Sequence, residues 1–122
     1  MTLAEVKKIL DADVIAGEDM LHIEVKTGFA ADLMSDVLAY VKEGSILLTG
    51  LTNPLVIRTA DTLDLSAIVF VRGKRPATDA VKLAEEKKIP LLATRYIMFE
   101  SCGRLYAAGM QGSIQKVGEV PK

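Results

Sequence analysis

The sequence has few of the residues on which most enzymes and metalloproteins depend. Its one cysteine, Cys102, cannot form a disulfide within the chain and cannot alone hold zinc or an iron–sulfur cluster. Its one histidine, His22, has no second histidine or acidic cluster placed to assist it. We therefore expect no catalytic residue, no metal and no cofactor. An enzyme acting on a phosphorylated metabolite is the disfavoured alternative.

A net charge of one sign and long apolar runs are also missing. The 15 basic residues nearly balance the 16 acidic ones, so no overall field attracts nucleic acid or an acidic membrane. The apolar runs are five residues or shorter, whereas a membrane-spanning helix needs about 20. Residues 1–6 lack the basic start and apolar run of a secretory signal. We expect a cytoplasmic protein that binds neither nucleic acid nor membranes.

Apolar residues are abundant for so short a chain. They make up 50% of its 122 residues, and the mean hydropathy is +0.28. A small domain has a large surface relative to its volume, so part of this apolar area is predicted to lie in a subunit interface. A homodimer is the expected assembly.

The first third of the chain is predicted to contain two helices and an edge strand. Thr2 and Glu5 form a capping box ahead of apolar residues at helical spacing, which predicts a helix over residues 3–11. Apolar and polar residues alternate strictly over residues 21–26, which is typical of a strand buried on one face only. Helical spacing returns over residues 31–42 and predicts a second helix.

The remainder of the domain is predicted to alternate between buried strands and helices. Three apolar runs lack alternation, as expected of strands covered on both faces, and they span residues 46–48, 67–71 and 90–93. Helices beginning at Asn53-Pro54 and at Pro76 separate them, and a last helix is predicted over residues 96–108. These βαβ units predict an α/β fold with a mainly parallel sheet, helices on both faces and an antiparallel edge strand.

The predicted domain ends before the chain does. Residues 1–110 are expected to form a single α/β domain. Residues 111–122 contain glycines and a proline and show weak periodicity, so they are expected to be a flexible tail or a strand that pairs only on assembly.

Three loops that follow the predicted parallel strands are the candidate ligand site. Open parallel sheets bind ligands beyond the carboxyl ends of their strands, where loops lead into helix N-termini. These loops carry four of the 15 basic residues together with glycines and threonine hydroxyls, which suits a small anion or a nucleotide. The candidate ligand-binding residues are Thr49, Gly50, Thr52, Asn53, Arg72, Gly73, Lys74, Arg75, Thr94 and Arg95.

Ordinary connections explain the same residues and are the favoured interpretation. Gly50 and Gly73 stand where tight turns need glycine, and Asn53 with Pro54 is a common helix start. Basic residues in loops are often simply solvated. Neither a G-x-G-x-x-G sequence nor a P-loop is present to decide for a nucleotide.

The region from residue 46 to residue 109 resembles the DRTGG domain family, and the likeness extends back to about residue 12. The stretches that carry the resemblance are LTG (48–50), IVFVRGKRP (68–76), IPLLAT (89–94) and MFESCGR (98–104). The chain is also similar to the N-terminal domain of HPr kinase/phosphorylase, which has no kinase chemistry. Leu51 and Thr52 stand where the family name suggests aspartate and arginine, and Arg72, Lys74 and Arg75 offer replacement charge.

The resemblance implies a non-catalytic regulatory domain. It would dimerise, and together with the basic loops it suggests binding of an adenine nucleotide or another small anion. The alternative is an assembly subunit that contacts a redox enzyme of the iron hydrogenase type and has no ligand of its own. The sequence leaves both hypotheses open.

Overall fold

Residues 1–118, the part of the chain described by the structure, which is a computed structural model, contain five strands and five α-helices. In chain order they are α1 (Leu3–Ile9), β1 (Asp13–Ala16), β2 (Gly28–Ala30), α2 (Met34–Tyr40), β3 (Ile46–Thr49), α3 (Pro54–Thr62), β4 (Ala67–Phe70), α4 (Thr78–Lys87), β5 (Leu91–Ala93) and α5 (Met98–Ala107). A short 3₁₀ turn, Glu18–Met20, follows β1. None of these helices has the length and apolar character that a membrane span requires.

The strands form one sheet in the order β1-β5-β4-β3-β2. Strands β2 to β5 are parallel, and a helix connects each to the next. Strand β1 pairs antiparallel with β5 at one edge. The predicted α/β class, with a mainly parallel sheet and an antiparallel edge strand, is therefore confirmed.

Helices cover both faces of the sheet, and each face has its own core. Helices α2, α3 and α4 pack on one face, and α1 and α5 pack on the other. All four residues of β3 and all four of β4 are consequently buried. The absence of alternation in these two runs correctly predicted strands covered on both sides.

The strand predicted over residues 21–26 is wrong. Residues 21 and 22 form a turn, and a single bridge pairs Glu24 with Thr2. The segment bonds to the start of α1: Leu3 N donates to the Ile23 carbonyl over 3.0 Å and Ala4 N to the Leu21 carbonyl over 2.9 Å. These carbonyls satisfy N–H groups that a first helical turn leaves without partners. The alternation in burial is still present, with Val25 buried and its neighbours exposed, because the segment covers the α1 side of the core.

The helices lie where the sequence predicted them but are shorter. The capping box of α1 is present, with Glu5 N donating to the Thr2 hydroxyl over 3.2 Å. Helix α2 begins only at Met34, because the preceding residues continue the ladder of β2: Ala31 N donates to the Leu48 carbonyl over 3.1 Å. Helix α3 begins at Pro54 as predicted, although the Asn53 side chain caps no N–H group.

The segment after α5 lies along the outer edge of β2. Gly28 N donates to the Gln111 carbonyl, and Ser113 N donates to the Gly28 carbonyl, both over 2.9 Å. The Ser113 hydroxyl is buried 2.7 Å from that of Ser45. Residues 111–113 of the predicted tail therefore pair with β2 of the same chain. The division into residues 1–110 and 111–122 stays a prediction, and residues 119–122 lie outside the described part.

Candidate functional site

The basic loops lie at the point where the chain changes from one face of the sheet to the other. The carboxyl ends of β2 to β5 share one edge because these strands are parallel. The connection after β4 leads to α4 on one face, whereas the connection after β5 leads to α5 on the opposite face. Such a switch point is where open α/β sheets bind ligands. We call the loops over residues 71–77 and 94–97, with the adjoining turn at 49–51, the switch-point site.

Backbone hydrogen bonds join the two loops of this site. Arg72 N donates to the Tyr96 carbonyl over 2.8 Å, and Gly73 N donates to the Thr94 carbonyl over 2.9 Å. Both donors have left-handed backbones, with φ of 62° at Arg72 and 69° at Gly73. That conformation costs a non-glycine residue about 1 kcal/mol, and the paired loops hold it in place. The site is therefore rigid, but these two amides are not available to a ligand.

The guanidinium of Arg72 lies directly on the backbone of Gly50. A Cβ at residue 50 would overlap Arg72 Nη2 and would lie only 3.0 Å from Arg72 Cζ. A glycine is therefore required for the β4 loop to place this charge over the β3 loop. The two residues were predicted as site residues separately, and the structure brings them into contact.

Asp32, which the sequence analysis missed, fills the turn after β3. Its Oδ1 accepts a hydrogen bond from Gly50 N over 2.7 Å and another from the Thr49 hydroxyl over 3.0 Å. Thr49 Oγ1 in turn accepts a bond from Leu51 N over 3.2 Å. Polar groups that could have bound a phosphate are thus already satisfied by a carboxylate of the chain.

Several other predicted site residues support the fold instead. The buried Thr94 hydroxyl donates to the Leu10 carbonyl over 2.7 Å, and the Thr52 carbonyl accepts from Ala77 N over 3.0 Å. Arg75 forms an exposed ion pair with Asp13, with 2.7 Å between Nη2 and Oδ2. Asn53 is exposed beside the start of α3.

Three cations of the site have no ionic partner within the described part of the chain. Arg72, Lys74 and Arg95 are exposed, and no carboxylate among residues 1–118 comes within 4.0 Å of their charged groups. Arg95 borders a polar cleft, and one face of the neighbouring Tyr96 ring is covered by Arg104, whose Cζ lies 4.1 Å from the ring centroid. The site therefore combines cations that form no ion pair among residues 1–118 with the hydrogen-bonded carboxylate of Asp32.

Residues outside this site offer little catalytic chemistry. Over residues 1–118 no three His, Cys, Asp or Glu side chains are grouped so that they could hold a metal ion. Burial raises the pKa of the Cys102 thiol, which keeps it protonated and weakly nucleophilic. His22 is exposed in the turn that follows the 3₁₀ segment Glu18–Met20.

A second concave surface is apolar and lies between β2 and α5. It has a volume of about 160 Å³. Its lining residues are Gly28, Phe29, Ala30, Leu48, Cys102, Leu105, Tyr106, Met110, Gln111 and Gly112. Beside it, Phe99 is 84% exposed and Tyr106 66% exposed. The seven-residue spacing places these two aromatic residues on one side of α5.

Comparisons with known proteins agree with the fold. The sequence profile of the DRTGG domain matches residues 5–108, which confirms the resemblance noted from the sequence. A similar structure is that of the CBS and DRTGG domains of the regulatory region of Clostridium perfringens pyrophosphatase, in complex with the activator diadenosine tetraphosphate. Its TM-score is 0.71 at 18% identity, and the match covers 85% of this chain but 45% of that one. No curated protein sequence matches.

Proposed function

The chain belongs to the DRTGG domain family, and on that premise we propose that it is a non-catalytic regulatory domain that binds an adenine nucleotide at the switch-point site. The observation that carries the proposal is the set of three cations, Arg72, Lys74 and Arg95, that form no ion pair with any other residue among 1–118 and lie on loops joined by backbone hydrogen bonds. Further support comes from the pyrophosphatase regulatory region with the similar fold, whose structure contains a nucleotide activator.

Side chains rather than backbone amides would hold the phosphates. The N–H groups of Gly50, Arg72 and Gly73 all have partners within the chain, so the usual phosphate cradle of backbone amides is not available here. A guanidinium can bind two phosphate oxygens at once in a fixed geometry. Because backbone hydrogen bonds already join the two loops, the entropy lost on binding is mainly that of the exposed cationic side chains.

Titration calorimetry with AMP, ADP, ATP and diadenosine tetraphosphate tests this function. We expect at least one of them to bind and its affinity to fall as salt is added, because the contacts are ionic. Lys74→Ala should weaken binding about threefold, the effect of one exposed charge. Arg58→Ala removes an exposed arginine of α3 outside the site and should change nothing. If no nucleotide produces heat at millimolar concentration, the proposal is wrong.

Homodimerisation through α5 is a second proposed role. Ile97, at the start of this helix, is 57% exposed, in addition to the two exposed aromatic residues further along it. Exposed apolar side chains such as Phe99 and Tyr106 on one side of a helix are typical of interaction sites in small proteins. The association with a redox enzyme stays a prediction.

Phe99→Ser is expected to raise the dimer dissociation constant at least tenfold, because exposed aromatic residues commonly anchor interfaces. Sedimentation equilibrium at micromolar concentration measures this. The matched control is Leu38→Ser, which removes a side chain 56% exposed on α2, across the sheet. If the unaltered protein sediments as a monomer, the dimer proposal fails. An equal effect of the control would place the interface elsewhere.

A further inference from the structure

Asp32 places a carboxylate in a site that is otherwise rich in cations. Asp32 is exposed, yet its position is fixed by the bonds from Gly50 N and the Thr49 hydroxyl. Both bonds go to Oδ1, and among residues 1–118 no hydrogen bond reaches Oδ2. An ionised carboxylate is an acceptor only. The site therefore presents one oriented oxygen that can accept a hydrogen bond from a ligand.

Asp32 and Arg72 flank the same glycine without forming an ion pair with each other. The carboxylate bonds to Gly50 N, and the guanidinium lies where a Cβ of Gly50 would be. Their charged atoms are nevertheless more than 4.0 Å apart, since they form no ion pair. A ligand at Gly50 thus meets a positively charged hydrogen-bond donor on one side and a negatively charged hydrogen-bond acceptor on the other.

This arrangement does not suit a bare phosphate. A phosphate or pyrophosphate would be attracted by Arg72 and repelled by Asp32, since like charges this close oppose each other even in water. A ligand that carries hydroxyl groups next to its phosphate gains from both residues. The hydroxyls donate to the carboxylate while the phosphate accepts from the guanidinium.

We propose that Asp32 is a specificity-determining residue that accepts a hydrogen bond from a ribose hydroxyl, so that the site selects a ribonucleotide over a bare phosphate or a sugar without hydroxyls. This inference rests on the proposed function and specifies its ligand class. When the ligand lacks these hydroxyls, the Asp32 carboxylate still repels the ligand's phosphate, and no hydrogen bond offsets that repulsion.

The test compares AMP, 2′,3′-dideoxyadenosine monophosphate and pyrophosphate on the unaltered protein and on Asp32→Asn. Asparagine keeps an oxygen for Gly50 N and the Thr49 hydroxyl but replaces the open oxygen with an NH₂ donor. We expect the unaltered protein to prefer AMP over the dideoxy compound about tenfold, as for the loss of a hydrogen bond to a charged group. In Asp32→Asn that preference should disappear, and pyrophosphate should bind more tightly.

The control is Asp36→Asn, which removes an equal charge from the exposed face of α2 and should keep the preference. If the unaltered protein binds AMP and the dideoxy compound equally, the inference is wrong while the proposed function stands. If Asp32→Asn binds all three ligands more tightly by the same factor, Asp32 acts only as a repelling charge, and the inference is also wrong. If no ligand binds to the unaltered protein, the proposed function itself fails. The comparison on the unaltered protein does not depend on the folding of a variant.

Discussion

Gly17→Ala is expected to lower the free energy of unfolding by about 2–4 kcal/mol, the sum of a strained backbone and an overpacked turn. Gly17 joins β1 to the following 3₁₀ turn with φ of +82°. A Cβ there would lie 2.7 Å from Pro90 Cβ and 2.8 Å from Pro90 Cα. Pro90 Cα is backbone at the start of β5, where Ala16 pairs with Leu91, so relief of the clash requires the edge of the sheet to move.

Denaturant unfolding measures the loss, and a second glycine provides the control. Gly103 lies in α5, is exposed, and would have no atom within 4 Å of an added Cβ. Gly103→Ala is therefore expected to stabilise the protein by about 0.5–1 kcal/mol, since alanine is the better helix former. A difference of less than about 0.5 kcal/mol in the free energy of unfolding between Gly17→Ala and the unaltered protein is the size of an ordinary surface change. Such a result would mean that the turn is not packed as described.

The strands that were predicted correctly are those whose local sequence reflects their surroundings. The runs that became β3 and β4 are apolar at every position because helices cover both faces of the sheet there. Strand β2, Gly28–Ala30, has no such signal: it is three residues long and half-buried, and it pairs with β3 on one side and contacts Gln111–Ser113 on the other. Its pairing depends on distant segments, so no local pattern could reveal it.

The period-two alternation over residues 21–26 shows the limit of such patterns. Periodicity correctly indicated which side chains are less exposed: Val25 is buried, Leu21 and Ile23 are partly buried, and the polar residues between them are exposed. It did not identify the hydrogen-bonding partner, which is the first turn of α1 rather than another strand.

A topological rule, rather than a local pattern, predicted where the basic loops of the candidate site lie. The rule that parallel strands place their carboxyl ends together located the basic loops, and these loops do meet in the structure. Asp32 was missed because it follows β2, the strand without a local signal. The roles of the Thr49 and Thr94 hydroxyls depend on partners 17 and 84 residues away in sequence, which no spacing rule provides.

Gly50→Ala is expected to weaken nucleotide binding roughly ten- to hundredfold, as for the loss of charge-assisted hydrogen bonds. The added methyl group would occupy the place of the Arg72 guanidinium, which must swing away. Stability should change by less than about 1 kcal/mol, because the displaced group is the end of a flexible side chain and residue 50 does not have a positive φ. A large loss of binding with little loss of stability would show that Gly50 is needed to position the Arg72 guanidinium and not for folding.

Calorimetry on Gly50→Ala, Arg72→Ala and the double variant tests whether the two residues act through one group. We expect each single variant to weaken binding by a similar factor, and the double variant to be no weaker than the worse of the two, because both changes remove the same guanidinium from the site. Gly103→Ala, an equal change in volume at an open position on α5, should bind as the unaltered protein does. Additive losses would mean that Gly50 contacts the nucleotide itself, and unchanged binding in Gly50→Ala would mean that Arg72 does not act from its position above this glycine.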